Sequence, residues 1–129
     1  LRKLTKDKIK QEKIVSIKGR KFIIKNYFEG YARFDFSDLC NKDIGAEDYI
    51  KIAEVCKYII IENLPNFDDN NSNQQQRFIT LIDIIYEKKV SLTISSVANL
   101  NKLTSAKSLS EPFKRTISRL YELTSISSA

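Results

Sequence analysis

QRFITLIDIIYEKKVSLTISS, the stretch from Gln76 to Ser96, predicts a helix that runs directly into a strand. Its first part carries apolar residues three and four positions apart, which together form one broad apolar face of a helix. These residues are Phe78, Ile79, Leu81, Ile82, Ile85 and Tyr86. The run from Val90 to Ile94 is short, alternating and rich in β-branched residues, which is typical of a strand. A helix followed at once by a strand is half of a β-α-β unit.

The other half of this unit lies upstream, in the continuous apolar run from Tyr58 to Ile61. Such a run is typical of a strand that is buried on both faces. The connection between the two strands has about 27 residues, which is too long for a hairpin and suits a crossover through a helix. We therefore expect an α/β fold in which the strands over residues 58–62 and 90–95 are parallel neighbours.

The N-terminal part predicts a β-meander over residues 13–36 with antiparallel pairing. Its first turn is predicted at Lys18-Gly19-Arg20 and its second at Glu29-Gly30. After the second turn, the side chains of residues 31–36 alternate cleanly between the two faces of a strand. Ser37 and Asp38 then predict the cap of a short turn that ends near Cys40.

The remaining elements are helices and their connections. Ala46 to Cys56 predicts an amphipathic helix of about three turns. The polar loop over residues 68–73 is a helix-start signal, so capping explains its acidic pair, Asp68 and Asp69, better than acid–base chemistry does. Residues 97–110 predict a mobile loop with a helical turn around Leu100. A last amphipathic helix follows from Ser110 to about Leu123.

These elements divide the chain into three parts: a lead-in or linker over residues 1–12, a single α/β domain over residues 13–125, and a disordered tail over residues 126–129. A chain of 129 residues is long enough for one domain with an ordinary core. No run approaches the roughly 18 apolar residues of a membrane span. Because the chain has no Met, we expect it to be cut from a longer protein.

The net charge of +6 is concentrated at the N-terminus. Residues 1–25 hold ten Lys or Arg against two acidic residues, whereas the remainder holds twelve against fourteen. A basic segment of this kind can bind nucleic acid or an anionic lipid surface, or can be a solvated linker and strand edge. Nucleic-acid binding is the least favoured of these, because no aromatic residue precedes Phe22.

The residues needed for several kinds of catalysis are missing from the sequence. There is no His, which excludes a Ser-His-Asp triad and histidine metal sites. The three glycines do not form a phosphate-binding loop followed by Lys-Ser/Thr. The two cysteines, Cys40 and Cys56, lack metal-ligand spacing and are predicted to be free thiols in a reducing compartment.

Arginines on the last predicted helix are the candidate functional residues. Arg115 and Arg119 are four positions apart and project from one helix face, while Phe113, Ile117 and Leu120 face the core. This arginine pair is either part of a surface ladder of ion pairs, with Glu122 three positions beyond Arg119, or a site for a phosphate or a neighbouring subunit.

One further arginine opens the helix of residues 76–89. Arg77 lies where the helix dipole disfavours a cation, so we expect it to pair with an acid, either Asp83 or the loop carrying Asp68 and Asp69. We treat Arg77 and Asp83 as structural candidates.

Long motifs of the chain resemble the C-terminal half of the ZapE/AFG-type ATPases, a AAA+ P-loop family of bacterial cell division and mitochondria. The resemblance covers about residues 18–125 and is carried by ordered segments. These segments are FDFSDLC (34–40), IGAEDYIKIAE (44–54), the strand ending at Pro65, RFITLIDIIYEKKVSLTIS (77–95) and FKRTISRLYEL (113–123). Two positions depart from the family pattern: Ser95-Ser96 replaces a pair in which Ala is common, and Leu123 replaces a Met.

The resemblance implies that the phosphate-binding loop and the Mg²⁺-binding strand belong to an N-terminal half outside this sequence. It implies ATP and Mg²⁺ as cofactors of the full-length parent and none for this part, which would not hydrolyse ATP alone. Arg119 and Arg115 become candidates for nucleotide sensing or an intersubunit contact. The implied partners are the N-terminal P-loop half of the same protein, further copies in a homo-oligomer, and a division or client protein.

The implied location of the parent is the bacterial cytoplasm or, alternatively, the mitochondrial matrix. A second interpretation, from a different class of function, is a stand-alone protein-interaction module that uses the basic N-terminal segment. A phosphate-binding motif upstream of Leu1 in the parent reading frame would distinguish the two.

Overall fold

A computed structural model of the chain describes residues 11–17, 20–40 and 44–127. Its strands are β1 (Gln11–Ile17), β2 (Arg20–Phe28), β3 (Tyr31–Asp35), β4 (Tyr58–Leu64) and β5 (Ser91–Ser96). Its helices are α1 (Phe36–Leu39), α2 (Ala46–Val55), α3 (Ser72–Lys88) and α4 (Ser110–Ser127). Short 3₁₀ turns span Asp69–Asn71, Leu100–Lys102 and Lys107–Leu109. The predicted α/β fold class is confirmed.

The five strands form one mixed sheet in the order β1-β2-β3-β4-β5. β1 pairs with β2 and β2 with β3 in antiparallel fashion, which confirms the β-meander. β3, β4 and β5 run parallel to one another. In the β4–β5 register, Ile59 lies opposite Leu92 and Ile61 opposite Ile94, so the predicted parallel neighbours are confirmed.

The described helices cover one face of this sheet. α2 and α3 each connect neighbouring parallel strands, and right-handed crossovers in the same direction place both on the same side. α4 packs beside α3 and against β5. The strand residues that face these helices are at most 5% exposed and belong to the core: Ala32, Phe34, Ile59, Ile61 and Leu92.

The strand residues that alternate with this buried set form the other face of the sheet. Most of them are only partly buried, among them Tyr31, Arg33, Tyr58, Glu62 and Thr93, whereas Ile60 is fully buried and Phe28, the cross-strand partner of Tyr31, is 8% exposed. We call this surface the open face. A register shift between β1 and β2, where Gln11 pairs with Tyr27 but Lys13 pairs with Ile24, brings Ile24 to the core side. The cross-strand pair Ile14 and Ile23 therefore belongs to the open face.

Four phenylalanines from distant parts of the chain meet in the core. Phe67, in the loop after β4, lies with its ring centroid 5.6 Å from Phe36 of α1, 5.9 Å from Phe78 of α3 and 5.5 Å from Phe113 of α4. All four are at most 4% exposed. Offset and edge contacts at these distances stabilise a core beyond the area that the rings bury.

The connection between β5 and α4 is held to the body of the domain by hydrogen bonds. The Thr104 amide donates to Asn66 Oδ1 at 3.2 Å, and the Ala106 amide donates to Oε1 of the fully buried Gln75 at 3.0 Å. The predicted turn around Leu100 is confirmed by the 3₁₀ turn that starts there.

Several element boundaries differ from the predicted ones, and three of the differences concern helices. Asp35, rather than Ser37 or Asp38, caps α1, because its carboxylate accepts the Ser37 amide at 3.1 Å. α3 begins at Ser72, inside the predicted polar loop, after the Asp68 carboxylate has capped a 3₁₀ turn by accepting the Asn70 amide at 2.8 Å.

At the C-terminus, α4 continues past Leu123 to Ser127, anchored by Leu123 itself, which is 8% exposed. Residues 126 and 127, predicted as part of a disordered tail, are thus helical. Of the predicted lead-in over residues 1–12, residues 11 and 12 belong to β1, and residues 1–10 lie outside the described residues, as do the turn residues 18–19 and the tail residues 128–129. Within the described ranges, no helix combines the length and apolar character needed to cross a membrane.

Candidate functional site

The arginines of α4 meet an acidic residue of α3. Nη1 of Arg119 donates a hydrogen bond to Oδ1 of Asp83, and Nη2 of Arg115 lies 3.6 Å from Oδ2 of the same carboxylate. One carboxylate therefore receives two guanidinium groups that are one helical turn apart. The contacts advance together along α3 and α4, so the two helices run in the same direction and present these side chains side by side.

Arg119 is fixed by a second contact besides Asp83. Its guanidinium carbon lies 4.6 Å from the centroid of the Tyr86 ring, a cation–π geometry, and its side chain is only 22% exposed. A hydrogen bond with Glu122, together with the negative charge of that residue, raises the pKa of the Tyr86 phenol. Tyr86 is thus held between the arginine and the acid of α4.

Arg115 has a different environment from Arg119. Its side chain is 59% exposed, and its distance from Asp83 is that of a loose ion pair rather than a hydrogen bond. A guanidinium in this state keeps most of its donors directed toward solvent, where they can bind phosphate oxygens bidentately. The sequence treated the two arginines as equivalent members of one face, whereas the structure makes Arg119 the fixed member and Arg115 the accessible one.

The core-facing stripe of α4 agrees with the prediction. Phe113 is 3% and Leu120 0% exposed, while Ile117 is partly buried against the core. Ser118 and Glu122 are exposed, as expected for the opposite side. Thr116 is also fully buried, with its hydroxyl donating to the Pro112 carbonyl at 3.2 Å.

Arg77 lies near the buried side chains of Cys40 and Tyr49. Burial raises the pKa of the Cys40 thiol to about 12 and also raises the pKa of the Tyr49 phenol, and the positive charge of Arg77 offsets only part of each shift. Of the acids proposed as partners of Arg77, Asp83 receives Arg119 and Arg115, and Asp69 Oδ1 accepts the Lys107 amide at 3.0 Å. The pairing of Arg77 with an acid stays a prediction.

A polar cluster at the carboxyl ends of the parallel strands was not predicted. Asn63 lies where the β4–β5 register shifts, with a left-handed φ of 64°, and its Nδ2 donates to Oδ1 of Asp35 at 2.6 Å. Its amide donates to Ser95 Oγ at 3.2 Å. The hydrogen bonds from Ser37, and then the one from Asn63, lower the pKa of Asp35.

This edge of a parallel sheet is where α/β folds commonly bind ligands. Here the Asp35 carboxylate accepts hydrogen bonds on both oxygens, so the cluster acts as a clamp between β3, β4 and β5. The sequence signal was present, as a polar residue near the carboxyl end of each of the first two parallel strands, Asp35 in β3 and Asn63 in β4. Among the residues that the structure describes, no group of three or more His, Cys, Asp or Glu is arranged to hold a metal ion.

Next to Arg119, at the C-terminal end of α3, lies an open pocket of about 370 Å³. It is lined by Tyr86, Lys89, Val90, Ser91, Glu122 and Leu123, so it shares Tyr86 and Glu122 with the surroundings of Arg119. The site as a whole is a cationic helix face, one arginine fixed and one accessible, on an α/β domain.

Comparison with known proteins specifies the family to which this α/β domain belongs. The family profile of the AFG1-like ATPases matches residues 1–128. The chain belongs to this AFG1-like ATPase family.

Individual relatives carry names from the same family. Lactation elevated protein 1 homolog B of Danio rerio is 30% identical over 95 residues, which are 74% of this chain and 19% of that protein. The cell division protein ZapE of Escherichia coli (strain K12) is 29% identical over 90 residues, which are 70% of this chain and 24% of that protein. The matched stretch thus spans about a fifth to a quarter of the length of these relatives. No solved structure matches the chain.

Proposed function

We propose that this chain is the domain of an AFG1-like ATPase that presents an arginine to nucleotide or to a neighbouring subunit, within a longer polypeptide that binds and hydrolyses ATP. The observation that carries the proposal is the unequal pair on α4. Arg119 is held in place by Asp83 and by the Tyr86 ring. Arg115 contacts the same Asp83 carboxylate more loosely, and its side chain is 59% exposed.

The arrangement suits phosphate recognition for a physical reason. Arg119 largely neutralises Asp83, so the second guanidinium is weakly held and can exchange its carboxylate for a phosphate at small cost. Charge stabilisation of a phosphoryl group during transfer is the usual role of such an arginine. In this proposal Arg115 makes the contact, and Arg119 is a positioning residue that joins α4 to α3.

ATP and Mg²⁺ belong to the rest of the polypeptide in this proposal. The three glycines of the chain do not provide a loop that could surround phosphates, and the described residues offer no cluster of acids for a divalent cation. In the proposed full-length protein, Arg115 would contact a phosphate of the ATP that the rest of the polypeptide binds. The phosphate-binding half, further copies of the protein and a client protein are the proposed partners.

The cellular setting is proposed from the relatives and the thiols. ZapE is named a cell division protein, and we extend that role to this chain as one hypothesis, with protein quality control as the other. Cys40 and Cys56 are buried thiols that form no disulfide in the described structure, as predicted, which suits a reducing compartment such as the cytoplasm or the mitochondrial matrix.

The test is a comparison of Arg115→Ala, Arg119→Ala and the control Lys114→Ala in the full-length gene product. Lys114 is a neighbouring cation of α4 whose side chain is 73% exposed and forms an ion pair with Glu111 of the same helix. We expect Arg115→Ala to lower kcat about tenfold or more with an unchanged melting temperature, the order expected for a lost contact to a transferring phosphoryl group.

Further outcomes separate charge from geometry. Arg115→Lys should restore only part of kcat, because an ammonium lacks the bidentate fork. Lys114→Ala should leave kcat and KM unchanged. If Arg115→Ala leaves turnover unaltered, Arg115 is only a member of a surface ion-pair ladder, and its proposed contact with phosphate is wrong.

A second candidate function is a stand-alone protein-interaction module. The observation that favours it is the exposure of Ile14 and Ile23, at 58% and 48%, in the basic N-terminal hairpin. The absence of ATP turnover in the full-length gene product, with every arginine intact, would favour this function over the first.

A further inference from the structure

Within the part of the chain that the structure describes, no helix covers the open face of the sheet. Three of its strands, β3, β4 and β5, are parallel, and parallel strands are almost always buried on both faces. Here the helices cover one face, and the other is left with partly exposed side chains such as Tyr31, Arg33 and Thr93. The uncovered part therefore lies in the middle of the sheet as well as at its margin.

The open face combines aromatic and aliphatic side chains with polar ones, and its central charges are paired. The rings of Tyr31 and Tyr58 stack at 5.2 Å between centroids with an interplanar angle of 14°. Ile60, which alternates with the core residues Ile59 and Ile61, is fully buried among its neighbours on this side. The charges of Arg33 and Glu62 are balanced by an ion pair at 3.7 Å. Such a surface can be covered without leaving a buried charge unpaired.

The hairpin of β1 and β2 extends this surface toward the margin of the sheet. Ile14 and Ile23 are direct cross-strand partners, and they are 58% and 48% exposed. Two large apolar side chains placed opposite each other on one sheet face form a patch rather than scattered exposure. The patch and the tyrosine stack lie on the same face, so one covering layer can bury both.

We infer that the open face is the surface on which a helical layer of the same polypeptide, from outside these 129 residues, packs. Relatives in the family are four to five times longer than their matched stretch, so each has ample chain to supply such a layer. Four spacings of about 4.8 Å make a five-stranded sheet about 19 Å wide, which accommodates two helices of about 10 Å diameter.

The positive charge of the β1–β2 hairpin indicates which residues the covering layer should carry there. Residues 11–28 contain five basic residues, Lys13, Lys18, Arg20, Lys21 and Lys25, against the single acid Glu12. The helix that covers Ile14 and Ile23 should therefore carry apolar residues flanked by Asp or Glu. This inference rests on the part of the proposed function that makes the chain one domain of a longer protein, and not on the role of Arg115.

The experiment uses engineered thiols as reporters of cover. The native Cys40 and Cys56 are 0% and 4% exposed, and the pKa of Cys40 is raised by burial to about 12, so neither reacts while the domain is folded. Ile23→Cys and, separately, Ile14→Cys place a thiol on the open face. Ile50→Cys, at an isoleucine of α2 that is 39% exposed on the helical side, is the matched control.

Labelling rates with a thiol reagent are compared between the 129-residue chain and the full-length gene product. We expect Ile23→Cys and Ile14→Cys to react at least about 30-fold more slowly in the full-length protein, because a covered thiol reacts only when the layer opens. Ile50→Cys should react at similar rates in both. Circular dichroism of each variant checks that the fold is retained.

Other outcomes overturn the inference. Equal labelling rates in the two proteins would show that no layer covers this face. Protection in the 129-residue chain that rises with its concentration would assign the face to a second copy instead. Because labelling does not depend on ATP turnover, a full-length protein with protected thiols and no ATPase activity would leave this inference standing while the proposed function fails.

Discussion

Removal of the Arg119 side chain should destabilise the domain far more than removal of Arg115, although both contact the same carboxylate. Arg119 is 22% exposed, hydrogen-bonded to Asp83 and stacked on Tyr86, whereas Arg115 is 59% exposed and lies 3.6 Å from its partner oxygen. The perturbation is therefore a pair of alanine substitutions one helical turn apart in the same helix.

The magnitudes follow from these contacts. A hydrogen bond to a charged group contributes about 1.5–3 kcal/mol, and a cation–π contact at a partly exposed site about 0.5–1 kcal/mol. Arg119→Ala should thus cost about 2–3 kcal/mol, or about 6–12 °C in melting temperature for a chain of this size. Arg115→Ala should cost about 0–0.5 kcal/mol, as exposed ion pairs do.

The assay is urea unfolding of the 129-residue chain, arranged as two double-mutant cycles with Asp83→Ala. The coupling energy between Arg119 and Asp83 should be about 1.5 kcal/mol, and that between Arg115 and Asp83 below about 0.5 kcal/mol. Lys114→Ala, which removes an exposed cation of the same helix, should change neither stability nor the urea dependence. Equal couplings for the two arginines would refute the distinction between a fixed and an accessible member.

Two further predictions concern ligand binding and pH. The 129-residue chain alone should show no micromolar affinity for ATP in calorimetry, because it has no glycine-rich loop with a lysine for the phosphates; a measurable micromolar affinity would contradict this. The folded-state pKa of Asp35 is lowered from 3.8, so its hydrogen bonds stabilise the fold fully above that pH and progressively less as the pH falls below it. The difference in melting temperature between the parent chain and Asp35→Asn should therefore shrink below about pH 4, and a constant difference from pH 3 to 7 would disprove the role of the carboxylate.

The central β-α-β unit could be predicted because its signals are local and strong. A helical period that changes to strand alternation near Val90, and an apolar run at Tyr58–Ile61, are both set by burial against the same core. The end of β3 at Asp35 was harder to predict, because apolar and polar residues keep alternating through Phe36, as they would if the strand continued. The signal that ends the strand is Asp35 itself, whose side chain caps the helix α1 by accepting the amide of Ser37.

The partners of the arginines could not be predicted from spacing. Sequence periodicity shows that Arg115 and Arg119 share a helix face, but which acid they meet depends on α3 and α4 packing in the same direction. That direction is set by the long connection over residues 97–109, whose Thr104 and Ala106 are held by Asn66 and Gln75. The sequence suggested Asp83 only as one of two alternative partners of Arg77, and it could not reveal that the Arg119 guanidinium lies over the Tyr86 ring.

The phenylalanine cluster around Phe67 constrains how the domain folds. Its four rings come from α1, the loop after β4, α3 and α4, and Phe36 and Phe113 are roughly 77 residues apart in the sequence. Closing so large a loop costs chain entropy before the rings contact one another, which slows folding and makes it cooperative. On a ribosome, the sheet can emerge complete while the Phe113 side of this cluster is still missing. The growing chain therefore exposes the apolar surface of Phe67 until its last helix has been made.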